Sequence, residues 1–479
     1  MTAALASRRV AVLFAVGLVC ALYLADLTGM GMFGPDEPRY ADVGRAMAQS
    51  GDWVTPHLWG HPWFEKPALL YWMTGIATKI GLGPDLAPRL PVALLSVLFL
   101  GFYWRRLKIE WDARAASYAT AMLATSAGWL AYSHVAVTDL PLSVFFSAAL
   151  LFSLPWAAGL DQNRARGRAS LTAAAACLAL ATLAKGLVPI ILFLPVPAMP
   201  VVTGDWRRLR DWLRPGPILA FCICALPWYI LCTMRNGSEF LRVFFLEQQF
   251  GRFRSAALQH VQPVWFYIPV LLILLFPWFP LLVVPSVVWP ADFRRDSRVR
   301  VLAGIVLFGF VFFSISVNKL YGYLLPLLPA AFALLGIGIS RSKRPATAVI
   351  APLILLSILP AISEIAPQLL AAHGVIVGIP LMRIVFWPLA AVMIAAILAR
   401  WLPNQAFGAG AMLAAIGFLW FQLATFPEFD RATARPLWRA GQLQCAPAVT
   451  RDILYGIYYY AGKRVPACPV DLSGTRVVR

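Results

Sequence analysis

The sequence predicts a polytopic α-helical membrane protein, and three observations lead to this fold class. Apolar residues occupy 60% of the 479 positions and the mean hydropathy is +0.72, whereas soluble domains are about half apolar. Apolar runs long enough to cross a bilayer recur along the chain. Clusters of arginine and lysine separate alternate runs, as the positive-inside rule expects. The formal net charge of +19 therefore reflects membrane orientation, and we expect no nucleic-acid partner.

The first apolar run covers residues 10–25 and follows two arginines. No small-residue cleavage site ends it, so we expect an uncleaved spanning helix with a cytoplasmic N-terminus. The next segment then lies outside the membrane. Its semi-apolar stretch, 67–80, is short for a span of about 20 residues. We predict an amphipathic helix along the membrane surface there.

Hydropathy predicts about thirteen spans in total. An odd number places the C-terminus in the same external compartment as two long loops, 27–89 and 235–262. We therefore predict a transmembrane domain, 1–426, whose active-site face is formed by these loops, and a small periplasmic C-terminal domain, 427–479. The twelve further runs are 90–104, 115–131, 140–160, 171–183, 187–202, 218–234, 264–284, 301–317, 320–339, 348–362, 384–398 and 407–426.

The C-terminal segment is too short for a robust core of its own. Its stretch Ile453–Ala461 is β-prone and bounded by turn residues, which predicts a small strand-containing appendage packed on the membrane face. In an oxidising periplasm, Cys445 and Cys468 could close this segment covalently. The other five cysteines fall in apolar runs, where small buried side chains are expected.

One polar island stands out from the apolar chain: Phe33–Tyr40, continued by Trp63–Pro67. Ionisable groups beside a bilayer are costly and usually serve ion, proton or substrate handling. The alternative is that the acidic pair simply opens a surface helix. Further charged residues map to the same face, where each lone cation could instead be an interfacial side chain. The full set is Asp36, Glu37, Arg39, Glu65, Lys66, Asp139, Lys185, His260 and Lys319.

Several common chemistries are excluded by their missing motifs. The chain has no Walker loop, no dinucleotide-binding glycine fingerprint and no Gly-x-Ser-x-Gly elbow. The five histidines show no zincin spacing, and no cofactor is indicated. A transporter or flippase would place its charges near the membrane midplane and often shows internal repeats. We find no repeat, so a surface enzyme is favoured.

The ordered motifs resemble the bacterial aminoarabinose transferases, which are GT-C membrane glycosyltransferases related to the protein O-mannosyltransferases. The resemblance runs from about residue 10 to residue 336. Each motif is weak alone, and their order on one side of a matching topology carries the resemblance. The motifs are Asp36-Glu-Pro-Arg-Tyr40, Ser50-Gly-Asp-Trp53, Phe64-Glu-Lys-Pro67, Asp139-Leu-Pro141, Ala184-Lys-Gly186, Phe244-Phe-Leu-Glu-Gln248, Gln259-His260, Lys319-Leu320 and Tyr323-Leu-Leu-Pro326.

The resemblance implies a GT-C fold in the bacterial inner membrane with its active site facing the periplasm. It implies inverting-type transfer of 4-amino-4-deoxy-L-arabinose, or a related pentose or hexose, from undecaprenyl phosphate. The implied acceptor is lipid A or another envelope glycolipid. The alternatives are a protein O-mannosyltransferase-like enzyme and, less favoured, a lipid-linked glycan polymerase or a flippase.

Site roles follow from the chemistry of this reaction. Cations on the outer turns would neutralise the donor phosphate as it leaves. Carboxylates would act as a base, stabilise a cationic transition state or orient the sugar. We expect Asp36, Glu37 and Asp139 as catalytic residues, Arg39, Lys66, Lys185 and Lys319 as donor phosphate ligands, and Tyr40 and Tyr323 as substrate-positioning residues.

The resemblance also implies that Glu65 and His260 approach one another, and relatives can hold a metal there. A plain hydrogen bond is the alternative, since defined metal sites usually have three or four protein ligands. The chain departs from the family pattern at Trp63, where tyrosine is usual, at Tyr321-Gly322, which replaces a Pro-Thr pair, and in its shorter tail. These departures leave the identities of the sugar and the acceptor open.

Overall fold

The computed structural model describes residues 2–161, 164–251, 261–284, 296–342, 345–363, 405–441, 445–446 and 449–468, with separate positions between 390 and 401. These residues are mostly helical, with one short antiparallel pair, β1 (His57–Leu58) and β2 (His61–Pro62). The first nine helices are α1 (Thr2–Leu24), α2 (Asp36–Ser50), α3 (Leu69–Lys79), α4 (Leu86–Glu110), α5 (Ala113–Ala124), α6 (Ala127–Ser133), α7 (Asp139–Ala157), α8 (Arg164–Lys185) and α9 (Val188–Leu192).

The described residues after α9 form nine further α-helices and a π-helical segment, Arg242–Gly251. Short 3₁₀ segments connect them at Trp206–Asp211, Val264–Phe266, Phe279–Val283, Tyr321–Leu327 and Pro345–Val349. The α-helices are α10 (Pro195–Val202), α11 (Pro215–Leu241), α12 (Tyr267–Leu275), α13 (Ser297–Ile315), α14 (Leu328–Arg341), α15 (Ile350–Leu356), α16 (Ala406–Asp430), α17 (Arg435–Arg439) and α18 (Arg451–Ala461).

Eight helical stretches in the described part of the chain are long and apolar enough to cross a membrane. Three shorter apolar stretches, Leu13–Leu24, Val188–Val202 and Val264–Leu275, accompany them. This confirms a polytopic helical membrane protein, whereas the total of thirteen spans stays a prediction. Most of the predicted run 384–398 lies outside the described residues. The eight stretches are Leu86–Glu110, Asp139–Ala157, Gly167–Lys185, Pro215–Gln248, Ser297–Ile315, Tyr321–Arg341, Pro345–Ser363 and Ala406–Asp430.

The predicted span 115–131 is not one helix, because it breaks at Thr125 and Ser126 into α5 and α6. The hydroxyl of Thr125 donates to the carbonyl of Ala121, 2.6 Å away, and accepts a hydrogen bond from the indole of Trp278. The backbone N–H of Ala127 donates to the carbonyl of Phe276, 2.8 Å away. The backbone groups at the break therefore find partners inside the protein, as membrane burial requires.

Helices α4, α5 and α14 pack closely against one another. Gly336 of α14 lies so close to α5 that an added Cβ would come within 2.6 Å of the Ala119 backbone nitrogen. Small residues at such contacts allow two backbones to approach, the usual device for packing helices in lipid. The hydroxyl of Tyr103 donates to the carbonyl of Pro329, 2.6 Å away. These contacts fix α4, α5 and α14 against one another.

The C-terminal segment corrects one expectation, because Ile453–Ala461 is helical and not a strand. It lies within α18, whose buried residues include Ile457 and Tyr460 at a spacing of three. Residues three apart share one helix face, so packing overrides the β-propensity of the tyrosine-rich sequence. Cys445 and Cys468 form a disulfide, as their expected compartment suggested. The segments on either side of α18 are thereby joined.

The same segment packs against the first outer loop. Arg435 is almost fully buried and pairs with Asp430 and Asp85, at 2.7 and 3.2 Å. The hydroxyl of Tyr460 donates to Asp85, 2.6 Å away, and accepts from the N–H of Met32. Helix α16 also continues to Asp430, past the predicted domain boundary at residue 426. The tail and the first loop thus share one small core.

Candidate active site

The first charged cluster lies at the start of α2, where the polar island begins. Asp36 and Glu37 occupy its first turn, where carboxylates are stabilised by the helix dipole. Arg39 donates from Nε to the carbonyl of Pro35, 2.9 Å away, and from its two terminal nitrogens to Asp36 and Glu65, the latter at 3.1 Å. The Asp36 side chain is 37% exposed. Of the two carboxylates that pair with Arg39, Asp36 is therefore the accessible one.

Glu65 connects Arg39 with the second predicted cation, Lys66. The ammonium of Lys66 lies 3.2 Å from Glu65, and both side chains are largely buried. Burial lowers the pKa of Arg39, but the surrounding Glu65, Tyr40 and Asp36 outweigh it, so that the pKa lies above its ordinary value. Two cations, Arg39 and Lys66, and two carboxylates, Asp36 and Glu65, therefore form one neutralised group in which Asp36 is the accessible carboxylate.

Tyr40 lies behind this cluster in the protein core. Its side chain is buried, and its ring centroid is 6.0 Å from that of Tyr71. Burial raises the pKa of Tyr40 well above its ordinary value, and the carboxylates of Asp36 and Glu65 raise it further. The phenol therefore stays protonated, so it contributes a hydroxyl and not a phenolate.

Glu37 differs from its neighbour Asp36, because it is fully buried against Arg89 of α4. The two side chains form a bidentate pair, with both N–O distances at 2.7 Å. The N–H groups of Phe33 and Ala136 donate to the remaining lone pairs of Glu37, at 2.7 and 2.9 Å. The structure thus does not bring Glu37 to an accessible surface, and its geometry is that of a structural anchor.

Arg89 uses its other donors to hold the loop that precedes α2. It donates to the carbonyls of Leu27, Met30 and Gly31 at 3.0, 2.6 and 2.7 Å. A buried charge is tolerated when it is paired and its donors are satisfied. Sequence analysis missed Arg89, although its position just before an apolar run was a visible signal.

The second charged cluster lies where the start of α7, the end of α8 and a 3₁₀ segment meet. Asp139 begins α7, and Lys185 ends α8, with 2.6 Å between its ammonium and Asp139. Lys185 also lies 4.6 Å from the ring centroid of Tyr323, in the 3₁₀ segment Tyr321–Leu327. A cation over a phenol ring is attracted to its π face. Three predicted site residues are thereby brought together.

Tyr132, at the end of α6, lies beside Asp139, since a Cβ on Gly322 would contact both side chains. Its burial, followed by the carboxylates of Asp139 and Asp36, raises the pKa of Tyr132 above its ordinary value. The N–H of Ala136 donates to Glu37, which holds the turn before Asp139 against the start of α2 and so brings the two clusters near one another. Sequence analysis did not select Tyr132, although it lies in the same outer turn as Asp139.

Gly322 allows Asp139 to approach the 3₁₀ segment closely. A Cβ at this position would lie 2.5 Å from the Asp139 carboxylate oxygen and 2.8 Å from the Tyr132 hydroxyl. Such contacts are far inside van der Waals separation. Tyr321-Gly322 stands where the family pattern has a Pro-Thr pair. The missing side chain of Gly322 makes room for Asp139.

Lys319 forms its hydrogen bonds with backbone carbonyls, whereas the cations of the two clusters pair with carboxylates. Its ammonium is almost fully buried and donates to the backbone carbonyls of Gln262 and Ser316, at 2.9 and 2.5 Å. A backbone bridge between Val261 and Asn318 joins the same two segments. The observed geometry is that of a residue holding two loops together, and its predicted role as a phosphate ligand stays untested.

The expected metal pair is only half described, since His260 lies outside the described residues. Glu65 already faces two cations, Arg39 and Lys66. No group of three histidine, cysteine, aspartate or glutamate side chains suited to a metal occurs among the described positions. The metal pair of Glu65 and His260 therefore stays a prediction, and we derive no step through a metal.

Aromatic rings surround the guanidinium of Arg39. Its central carbon lies 5.9 Å from the ring centroid of Tyr40, 5.6 Å from that of Trp63 and 5.4 Å from that of Tyr455. Tyr455 belongs to α18 and therefore comes from the far end of the chain. No pattern in the sequence indicated this contact.

Comparison with known proteins identifies the family that this chain resembles. The model of the dolichyl-phosphate-mannose-protein mannosyltransferase family matches residues 9–236. The undecaprenyl phosphate-alpha-4-amino-4-deoxy-L-arabinose arabinosyl transferase of Pseudomonas aeruginosa is 35% identical over 330 residues. The match covers 67% of this chain and 57% of that relative. The chain thus matches somewhat more than half the length of this curated relative.

Two solved structures of ArnT from Cupriavidus metallidurans resemble nearly the whole chain. The apo structure has a TM-score of 0.76 at 26% identity and covers 98% of this chain and 87% of its own. The structure bound to undecaprenyl phosphate has the same TM-score at 24% identity, with coverage of 96% and 86%. The C-terminal segment is therefore included in the shared fold. The chain is an aminoarabinose transferase-like GT-C membrane protein, as the ordered motifs of its sequence predict.

Proposed function

We propose that this protein transfers 4-amino-4-deoxy-L-arabinose, or a related sugar, from undecaprenyl phosphate to lipid A at the periplasmic face of the inner membrane. The observation that carries the proposal is the pair of charged clusters at the starts of α2 and α7, which the hydrogen bond from Ala136 to Glu37 brings near one another. Each contains an aspartate, Asp36 or Asp139, and at least one cation. The similar Cupriavidus structure was solved with undecaprenyl phosphate bound, and a phosphate ligand of this kind needs such cations.

The cations act on the donor. In the transfer, the acceptor oxygen forms a bond to the anomeric carbon while the bond from that carbon to the phosphate oxygen breaks. The leaving phosphate gains negative charge, which Lys66, Arg39 and Lys185 stabilise by charge-assisted hydrogen bonds. Each is neutralised in the structure by a carboxylate. The donor phosphate therefore exchanges with an internal anion and does not meet an isolated buried charge.

The carboxylates act on the sugar and the acceptor. Asp36 is accessible beside Arg39, so it serves as a base or as the partner of a cationic transition state. Asp139, held by Lys185, orients the sugar. If the acceptor group is itself a phosphate, no proton has to be removed and Asp36 becomes a positioning group. Glu37 belongs to the anchor formed with Arg89.

The exposed arginines of the tail favour an anionic glycolipid as acceptor. A basic residue near a membrane surface attracts an anionic headgroup by about 1 kcal/mol. Six cations lie between residues 431 and 464 of the tail. The structure buries one of them, Arg435, and exposes the other five. These are Arg431, Arg439, Arg451, Lys463 and Arg464.

The orientation follows from the distribution of charge. Basic clusters end α4 and precede α11 and α13, and the positive-inside rule places them in the cytoplasm. Both clusters of the site lie at the opposite ends of their helices. We therefore place the site in the periplasm, keep thirteen spans as the expected total, and retain residues 1–426 and 427–479 as the two predicted parts.

Mass spectrometry of lipid A tests the proposal. Cells with the protein should contain lipid A carrying the added aminosugar, and deletion of the gene should remove this species. The family match over residues 9–236 makes transfer to protein hydroxyls the second candidate. Identical lipid A in both strains, with loss of a sugar from a periplasmic protein, would reject the lipid acceptor and support that candidate.

A further inference from the structure

The C-terminal helix reaches the predicted donor site through one side chain. The ring centroid of Tyr455 lies 5.4 Å from the guanidinium carbon of Arg39. Of the three rings around Arg39, this is the nearest, and it alone comes from outside the first loop. A guanidinium near a phenol ring is attracted by about 0.5 to 2 kcal/mol, more when water is excluded.

Tyr455 is itself held from two sides. The Nε of Arg451 donates to the Tyr455 hydroxyl, 3.1 Å away. The ring of Trp59, at the tip of the β1–β2 turn, lies 5.3 Å from the Tyr455 ring. The side chain is therefore fixed in place before any ligand binds. Such preorganisation reduces the ordering cost of binding.

Helix α18, which carries Tyr455, is anchored to the first loop and closed by a covalent bond. The hydroxyl of Tyr459 donates to the carbonyl of Pro84, 2.7 Å away. The guanidinium of Arg45 lies 4.4 Å from the Tyr459 ring centroid. The Cys445–Cys468 disulfide joins the segments before and after the helix. The position of α18 thus depends on both the loop and the disulfide.

We propose that Tyr455 is a positioning residue for Arg39 and that the Cys445–Cys468 disulfide keeps it in place, so that the C-terminal segment is part of the donor site. The inference rests on the proposed function, in which Arg39 binds the donor phosphate. Asp36, Glu65 and the carbonyl of Pro35 fix the edge of the guanidinium by hydrogen bonds. The aromatic rings fix its plane, and Tyr455 supplies the contact that the first loop lacks.

Titration of undecaprenyl phosphate into the purified full-length protein in lipid nanodiscs tests this inference. Tyr455→Leu should raise the Kd by about 2- to 30-fold, the change in Kd that corresponds to the loss of one such contact. Tyr455→Phe keeps the ring and should restore most of the affinity. Tyr458→Leu is the matched control, because Tyr458 lies on the same helix and also packs on Trp59, at 5.2 Å. Its Kd should stay close to that of the wild type.

Donor kinetics give a second readout. Tyr455→Leu should raise the KM for the lipid-linked sugar more than it lowers kcat. In an Arg39→Ala background, Tyr455→Leu should have little further effect, because residues that act through one another are not additive. Equal losses in the Tyr455→Leu and Tyr458→Leu variants, or full additivity with Arg39→Ala, would overturn the positioning role.

Removal of the disulfide tests the second half of the inference. The double variant Cys445→Ala, Cys468→Ala should weaken undecaprenyl phosphate binding in the wild-type background but add little in the Tyr455→Leu background. Unchanged affinity without the disulfide would overturn the covalent role. Failure of the proposed function is distinguishable, because the wild-type protein itself would then show no binding of undecaprenyl phosphate.

Discussion

At the scale of single residues, each cation near the proposed reaction centre already has an internal partner. Arg39 pairs with Asp36 and Glu65, Lys66 with Glu65, and Lys185 with Asp139. Placing an isolated charge beside lipid is costly, and pairing lowers that cost while the donor is absent. Binding of a phosphate then replaces one anion by another near the same cations. In the proposed function, the cations that bind the donor phosphate are those whose internal partners can be displaced.

Lys66 and Lys319 should behave differently in this respect. Lys66→Ala should raise the Kd for undecaprenyl phosphate about tenfold or more, because a charge-assisted hydrogen bond contributes about 1.5–3 kcal/mol. Lys319→Ala should instead lower the melting temperature with a small change in Kd, since its ammonium holds the carbonyls of Gln262 and Ser316. Titration calorimetry and scanning fluorimetry separate the two effects. An equal rise in Kd for both variants would return Lys319 to the phosphate site.

At the scale of elements, the anchor between α2 and α4 determines where the first cluster lies. Glu37 and Arg89 are fully buried and use all their hydrogen-bonding groups on each other and on the surrounding backbone. The adjacent Asp36 is thereby directed toward solvent from a rigid turn. A functional side chain on a rigid element is held more precisely than one on a loop.

Arg89→Ala should destabilise the folded protein by about 3–5 kcal/mol, the usual cost of leaving one partner of a buried pair alone. The melting temperature of the detergent-solubilised protein measures this loss. Arg431→Ala is the control, because its pair with Glu428 is largely exposed and such pairs contribute about 0–1 kcal/mol. Similar melting temperatures for the two variants would show that the buried pair is not an anchor.

The sequence indicated most of the charged residues of the candidate site, because charged side chains are conspicuous in an apolar chain. It could not assign partners to them, since Glu37 and Arg89 meet only through tertiary structure. The broken span at Thr125 was hidden for a related reason. The hydroxyls of Thr125 and Ser126 donate to backbone carbonyls of the preceding helix, and the N–H of the next residue donates to the distant carbonyl of Phe276. In the tail, the tyrosines that suggested a strand become helical because their hydroxyls bond to Pro84 and Asp85.

At the scale of the whole molecule, the two ends of the chain meet at one outer surface. The first loop and the C-terminal segment share a small core that includes Met32, Ala41, Ile457 and Tyr460. The transmembrane helices between them carry the second cluster, with Asp139 and Lys185, to the same centre. The C-terminal segment and the first loop therefore pack together, and the boundary at residue 426 stays a prediction.

The proposed periplasmic orientation of this surface predicts a labelling pattern. In a background lacking the five cysteines outside the disulfide, Gln49→Cys should react with a membrane-impermeant maleimide in cells with a permeabilised outer membrane. Arg207→Cys should not react until the inner membrane is broken. Both positions are exposed in the structure, so opened membranes provide the control for reactivity. The reverse pattern would place the site in the cytoplasm.

The most direct test of the central claim is transfer by the purified protein in nanodiscs, supplied with undecaprenyl-phosphate-aminoarabinose and lipid A and followed by mass spectrometry. The wild-type protein should add the aminosugar to lipid A. Asp36→Asn keeps the size of the side chain and removes its charge, and should lower the rate by about 100-fold or more, as loss of a general acid–base group does, with normal insertion. Undiminished transfer by Asp36→Asn would contradict the catalytic assignment, and no transfer by the wild-type protein would contradict the proposed function.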